Sequence, residues 1–241
     1  MAGIKAICES SDHKAVIYQW LGQQGRLYDG ADHPYGQSMM NEYAFNMLKP
    51  LLESQAYIQS FEKWGGEKVM VDLDRLRQVK NHMPYGNIVT WMAFVFAEMR
   101  PRYWEPWITI EGKVSTLKNR IVINRTSRYR APWIDYFHLK KYEDQITFVG
   151  LPDEWESFNK EWGLNVPMWD VSNFYELAVV LNSCKLFIGN QSMCFAIAEA
   201  MKVPRLLEVC DFAPNVQPCG EGGYYFREPH TFEYLVEKLM T

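Results

Sequence analysis

Residues 186–209 read LFIGNQSMCFAIAEAMKVPRLLEV. Leu186–Ile188 is a short apolar run of strand length, and Gly189 to Ser192 form a tight polar turn. Phe195–Met201 then has helical composition, and Arg205–Val209 is a second apolar run behind Val203 and Pro204. A strand, a helix and a strand joined this tightly force the two strands to be parallel, because the helix carries the chain back to the starting edge. Ala196, Ala198 and Ala200 are small enough to let that helix lie close on the sheet.

Working outward, the same alternation continues upstream. Strands are expected at Ile121–Ile123, Ile146–Val149 and Val166–Met168. Helices are expected at Asp153–Trp162 and Phe174–Ser183, with a less defined one near Ile134–Lys141. The reading is α/β, with a doubly wound parallel sheet in the second half. In such sheets ligands sit beyond the carboxyl ends of the strands. That places Asn124–Arg130, Gly150–Asp153, Trp169–Asn173 and Asn190–Ser192 on one rim.

Two rim segments carry chemistry. Lys118 to Arg130 reads KNRIVINRTSRYR, with no acid among three arginines of its loop. Guanidinium forks match phosphate oxygens bidentately, so Arg125, Arg128 and Arg130 are candidate phosphate ligands, with Thr126 and Ser127 as hydroxyl donors. The alternative is a solvated basic loop. At the second segment, Asn190, Gln191 and Ser192 precede a helix whose first amides could hold an anion without any cation. Ser192 reads equally well as a plain N-cap.

The first half is a smaller α/β unit. Ala15–Gln19 reads as a strand, Gly22–Gly36 as a polar loop, and Met39–Leu52 as a helix whose last turn is put in question by Pro50. Tyr57–Lys63 and Lys68–Leu73 read as a hairpin through Gly65–Gly66. Ile88–Glu98 reads as a buried helix stopped before Pro101. Prolines and glycines over residues 100–119 suggest a boundary there, dividing the chain into 1–114 and 115–241. Asp72-Leu-Asp74 could hold a divalent metal through hard oxygens. With Arg75 and Arg77 beside it, the better reading is a strand-end ion pair. Gly220 to Gly223 lacks the Gly-Lys-Ser/Thr of a phosphate loop and reads as a flexible connection.

Composition limits the function classes. The chain has 241 residues, 48% hydrophobic content and a net charge of −4, which argue for a packed globular protein and against a general nucleic-acid coat. No stretch is long enough for a membrane span, and the start lacks the pattern of a secretion signal. Five cysteines without a C-x-x-C pair suggest reduced thiols and a cytoplasmic setting. His82, His138 and His230 lack metal-ligand spacing, so no metal site is expected.

The pattern strand–Gly-Asn-x-Ser–small-residue helix–Val-Pro–strand resembles the carboxyl-terminal half of the heptosyltransferase-like glycosyltransferases of the GT-B fold. Phe148 to Leu151 followed by Glu154, Asp170–Leu181, and Asn46–Glu53 in the first half are also similar. Where the family's turn carries Asp, Ser or Thr, then Gly and a later His, this chain has Gln191, Ser192, Met193 and Phe195. The resemblance implies two Rossmann-like domains, the first reduced and acceptor-binding (1–114), the second nucleotide-sugar-binding (115–241). It implies transfer of a sugar from a nucleotide-diphosphate sugar to a hydroxyl acceptor, a glycan or a nucleic acid, without metal or other cofactor. Gly150, Leu151, Met168 and Trp169 would meet the nucleoside, and the arginine loop with Asn190–Ser192 the diphosphate. Asp32 as base and His33 as its orienter are the catalytic candidates, in a Gly-punctuated loop whose plain reading is a turn. The alternatives are a non-catalytic nucleotide-binding protein of the same fold, or a nucleic-acid-modifying glycosyltransferase.

Overall fold

In the computed structural model, residues 1–24, 40–78, 86–96 and 99–241 are described. The candidate catalytic pair Asp32 and His33 therefore lies outside the described residues. In chain order the regular elements begin with α1 (Ala2–Ser11), β1 (Ala15–Gln19), α2 (Glu42–Glu53) and β2 (Ile58–Lys63). They continue with α3 (Arg75–Gln78), α4 (Trp91–Val95), β3 (Ile121–Asn124) and β4 (Ile146–Phe148). The remainder are α5 (Pro152–Trp162), α6 (Phe174–Ser183), β5 (Leu186–Gly189), α7 (Met193–Met201), β6 (Arg205–Glu208), β7 (Gly223–Phe226) and α8 (Pro229–Met240).

The second half is a five-stranded sheet in the order β4-β3-β5-β6-β7, and every pair is parallel. The expected strand at Val166–Met168 is reduced to one parallel bridge, Phe148 to Met168, beyond β4. Counting that bridge, the order is that of a dinucleotide-binding sheet, and winding reverses between β3 and β5. Alternate residues feed two cores, because successive strand side chains point to opposite faces. Ile121 and Ile123 join Phe158 of α5 and Phe232 of α8 on one face. Val122, Phe187 and Leu207 join α6 and α7 on the other. The less defined helix near Ile134–Lys141 is a 3-10 segment, Phe137–Gln145.

In the first half, β1 and β2 form a two-stranded parallel sheet. This corrects the expected hairpin. After Lys63 the chain turns on Glu67, whose carboxylate accepts the Gly65 N–H and whose carbonyl accepts the Trp64 indole N–H. Residues 68–73 form no strand, and Met70 is almost fully exposed. Without an apolar face to bury, their β-branched residues have nothing to pair against. The strand-end placement of Asp72–Asp74 is corrected with it, since no strand ends there; Asp72 caps its own turn by accepting the Asp74 N–H.

Helix α2 keeps its last turn despite Pro50. A proline inside a helix costs about 3 kcal/mol, but Leu51 and Leu52 just beyond it are buried in two separate clusters. Each is worth about 1.5–3 kcal/mol, so burial wins. The expected helix over Ile88–Glu98 is broken into a 3-10 turn at Ile88–Thr90 and the short α4, which ends at Phe96. Its opening residues Ile-Val-Thr are β-branched and favour an α-helix poorly. Four of these elements went unread in the sequence: α1, α3, β7 and α8. Gly220 and Gly222 take positive φ values in the turn before β7, which starts at once from Gly223.

Candidate functional site

The carboxyl ends of β3, β4 and β5 open on a crevice of about 280 Å³. This is near the lower end of small-molecule sites. Helix α2 closes it from the first half through Tyr43, Ala44 and Met47, with Met40 just before the helix. Its polar side is formed by Asn124, Thr126, Arg128, Glu154 and Ser192, with Gly150 and Leu151 between them. The arginine loop and the β5–α7 turn thus share one cleft at the place where the sheet reverses its winding.

What joins them is Asn190, which is fully buried. Its Oδ1 accepts the Thr126 N–H at 2.9 Å, and its Nδ2 donates to the carbonyls of Thr126 and Arg128 at 3.1 and 2.6 Å. Asn190 is therefore spent on the loop and acts as its staple. Directly before it, Gly189 stands opposite Asn124 in register. A Cβ at that position would come 2.9 Å from the Asn124 carbonyl oxygen, so only glycine lets the two strand ends approach.

The three arginines have different fates. Arg125 is 2% exposed and makes a two-pronged ion pair with the fully buried Glu208, Nε to Oε2 at 2.8 Å and a terminal nitrogen to Oε1 at 3.2 Å. Glu208 also accepts the Ala131 N–H at 2.7 Å and the Tyr136 hydroxyl at 2.6 Å. Burial and the neighbouring Glu208 hold the Tyr136 hydroxyl protonated, far above its ordinary range. The Arg125 guanidinium also lies over the Tyr136 and Trp162 rings. It is consumed by the core, and as a phosphate ligand the expectation for Arg125 is corrected. Arg130 donates to the Thr126 carbonyl and pairs with Glu161, away from the crevice lining. Arg128 alone of the three lines the cleft, and among the described residues it forms no ion pair.

The other expected residues divide similarly. Thr126 and Ser192 line the crevice, whereas Ser127 is exposed at its edge and Gln191 is outside the lining. Ser192 caps α7 by accepting the Phe195 N–H at 3.2 Å, and the helix begins two residues earlier than its composition suggested. Met193 and Cys194, the first residues of α7, face the cleft. Burial pushes the Cys194 thiol up to about 12, so it is not a thiolate nucleophile at neutral pH. Gly150 and Leu151 lie in the lining, but Met168 and Trp169 do not; Trp169 packs against the α6–α7 core. The Pro214–Pro218 segment ties to the first half, through the Asn215 carbonyl to the Ile88 amide and the Gln217 carbonyl to the Asn87 side chain.

Glu154 also lines the crevice, a residue that the sequence reading quoted for the resemblance without giving it a role in the site. Glu154 is the third residue of α5, and its carboxylate accepts the N–H of the capping residue Leu151 at 3.3 Å. Burial raises its pKa, with the Leu151 and Ser127 amides and Arg128 opposing the shift. The rim rule covers Gly150–Asp153 and stops one residue short of it. Among the described residues no group of three or more metal-ligating side chains is clustered, and no helix is long and apolar enough to cross a membrane.

No family model matches the chain, and no curated protein matches it. Among solved structures, the ADP-heptose LPS heptosyltransferase II of E. coli is similar, with a TM-score of 0.43 and 14% identity over 67% of this chain. The match spans 64% of that protein, less than two thirds of its length.

Proposed function

We propose that the crevice holds the diphosphate of a nucleotide-diphosphate sugar, and that the chain is a glycosyltransferase acting without metal on a hydroxyl acceptor. One observation carries this reading: Arg128 and the first turn of α7 face the same cleft at the point where the sheet reverses. A guanidinium and a set of helix-start amides together complement an anion, and neither is neutralised by a carboxylate pair.

In the proposed reaction the acceptor oxygen bonds to the anomeric carbon, the bond from that carbon to the diphosphate oxygen breaks, and the nucleoside diphosphate leaves with both electrons. Charge would grow on the leaving oxygens, against Arg128, the Ser192 hydroxyl and the α7 amides. The acceptor proton passes to a base, for which Asp32, oriented by His33, remains the candidate. Residues 1–114 would present the acceptor and residues 115–241 the donor. Leu151, Val171 and Phe174 offer the nucleoside an apolar wall beside Gly150.

The test is thermal unfolding with a panel of nucleoside diphosphates and sugar nucleotides, followed by product analysis. A ligand at a hundred times its Kd stabilises by about 2.7 kcal/mol, which for a chain of this size is on the order of 5–10 °C. Arg128→Ala should remove most of that shift and leave the unliganded midpoint nearly unchanged, since Arg128 forms no ion pair among the described residues. Absence of a shift with every nucleotide diphosphate would sink the reading. Binding without sugar release or transfer would reduce it to a binding protein of the same fold.

A further inference from the structure

Asn124 ends β3 at the floor of the crevice and is 1% exposed. Its Nδ2 donates to the Val149 carbonyl at 2.9 Å, whereas its Oδ1 is buried with no hydrogen-bond partner. The orientation is fixed chemically: turning the amide over would set its oxygen against the Val149 carbonyl oxygen. A buried acceptor without a partner costs stability, and in a ligand cleft the missing partner is a donor that arrives with the ligand.

Gly150 packs closely against the Nδ2 side of this amide, with a φ of +148°, which side-chain-bearing residues rarely adopt. A Cβ there would come 2.7 Å from Asn124 Nδ2 and 3.1 Å from Glu154 Oε2. The Asn124 amide and the Glu154 carboxylate thus flank Gly150 on the crevice lining, and the carboxylate can only accept hydrogen bonds when ionised. Arg128 and the α7 amides, on the same lining, only donate.

We infer that the crevice has a second, acceptor-lined subsite, in which Asn124 Oδ1 takes a hydrogen bond from a hydroxyl of the ligand. This rests on the proposed diphosphate reading and adds to it. The ligand must carry hydroxyl donors next to its phosphates, so a bare pyrophosphate would fill only half of the site. The hydroxyl comes either from the ribose of the nucleoside or from the sugar on the other side of the diphosphate.

Titration calorimetry on the full chain tests this with inorganic pyrophosphate, with adenosine, guanosine and uridine diphosphates and their dideoxy counterparts, and with a hexose 1-phosphate beside its deoxy analogue. Removing the relevant hydroxyl should weaken binding to the wild-type chain about tenfold, the worth of one hydrogen bond to a buried acceptor. In Asn124→Leu that difference should vanish while pyrophosphate affinity stays the same. A loss confined to the dideoxy nucleotides assigns the hydroxyl to ribose, and a loss confined to the deoxyhexose phosphate assigns it to the sugar. The subsite is overturned if hydroxyl removal costs nothing on the wild-type chain in either series, or if Asn124→Leu weakens pyrophosphate and nucleotides alike. Should Asn124→Leu not fold, the wild-type series alone decides. Failure of every probe to bind, pyrophosphate included, would instead overturn the diphosphate reading beneath it.

Discussion

Arg125 and Arg128 lie three residues apart in one loop and carry the same charge, yet one is sealed in the core and the other faces the cleft. The difference comes from Glu208, 83 positions further along the chain, whose carboxylate meets Arg125 from the end of β6, two strands from β3 in the sheet. No local pattern announces such a pairing. Two buried charges are tolerable only because each is matched fork to fork and the remaining lone pairs accept from Ala131 and Tyr136. Glu154 shows the opposite case, a buried acid that forms no ion pair among the described residues. Its pKa is raised above the ordinary 4.5, by burial first. Folding therefore favours the protonated acid, and that contribution is complete below the unfolded carboxylate range and lost as pH rises through the folded value. Glu154→Gln, which keeps an oxygen for the Leu151 amide, should match the wild type in thermal midpoint near pH 4. It should become the more stable chain as pH rises to 7. A difference that is flat with pH, or that favours the wild type at pH 7, would show that the carboxylate is not strained by its burial.

At the level of elements, Ser192 does two jobs that can be separated. As N-cap of α7 it accepts the Phe195 N–H, and as part of the lining it stands beside the proposed anion. Ser192→Ala should cost about 1 kcal/mol of stability through the lost cap. Ser192→Asp caps as well as serine, so unfolding should stay near the wild-type value, while its charge repels an anion and pyrophosphate binding should fall by at least tenfold. If the Ser192→Asp variant binds pyrophosphate as tightly as the wild type does, the first turn of α7 is not the anion site. The helix itself was legible because strand, polar turn, small-residue helix and proline follow one another without ambiguity. The same holds for α6, whose bounds Phe174–Ser183 match the sequence reading. Elements whose partners are distant were not legible. Segment 58–63 has strand composition, but only the fold makes it pair with residues 15–19 in parallel instead of with the stretch that follows it. Helix α8 starts at Pro229 under a Glu228 cap, a signal that was present but overlooked beside the glycines that precede β7. The crevice was half legible: the rim rule found its loops, but not which side chains turn into it.

For the whole molecule, the question is whether the two sheets behave as separate units. Residues 107–110 strap the halves together: the amides of Trp107 and Ile108 both donate to the Ala200 carbonyl of α7. On the other side, the Thr109 N–H donates to Gln55 Oε1 at 2.9 Å, and the Tyr57 hydroxyl donates to the Trp107 carbonyl at 2.6 Å. Lys202 covers the Trp107 ring at 4.3 Å. Beneath the strap, Leu51 of α2 belongs to the same buried cluster as Leu177 and Leu181 of α6. Parting the halves would expose at least Leu51, Trp107, Ile108 and Leu177. At about 1.5–3 kcal/mol each, that is roughly 6–12 kcal/mol, as large as the whole stability of an ordinary domain. A state with one half folded and the other melted would then have no stability left to populate it. The chain should therefore unfold in one step, with tryptophan fluorescence and far-ultraviolet dichroism tracing the same urea curve and the calorimetric enthalpy equal to the van't Hoff value. Because α2 closes the crevice on one side, a ligand bound there should move that single transition as a whole. Two resolved transitions, with ligand shifting only the later one, would mean that the strap does not couple the halves and that the cleft belongs to the second sheet alone.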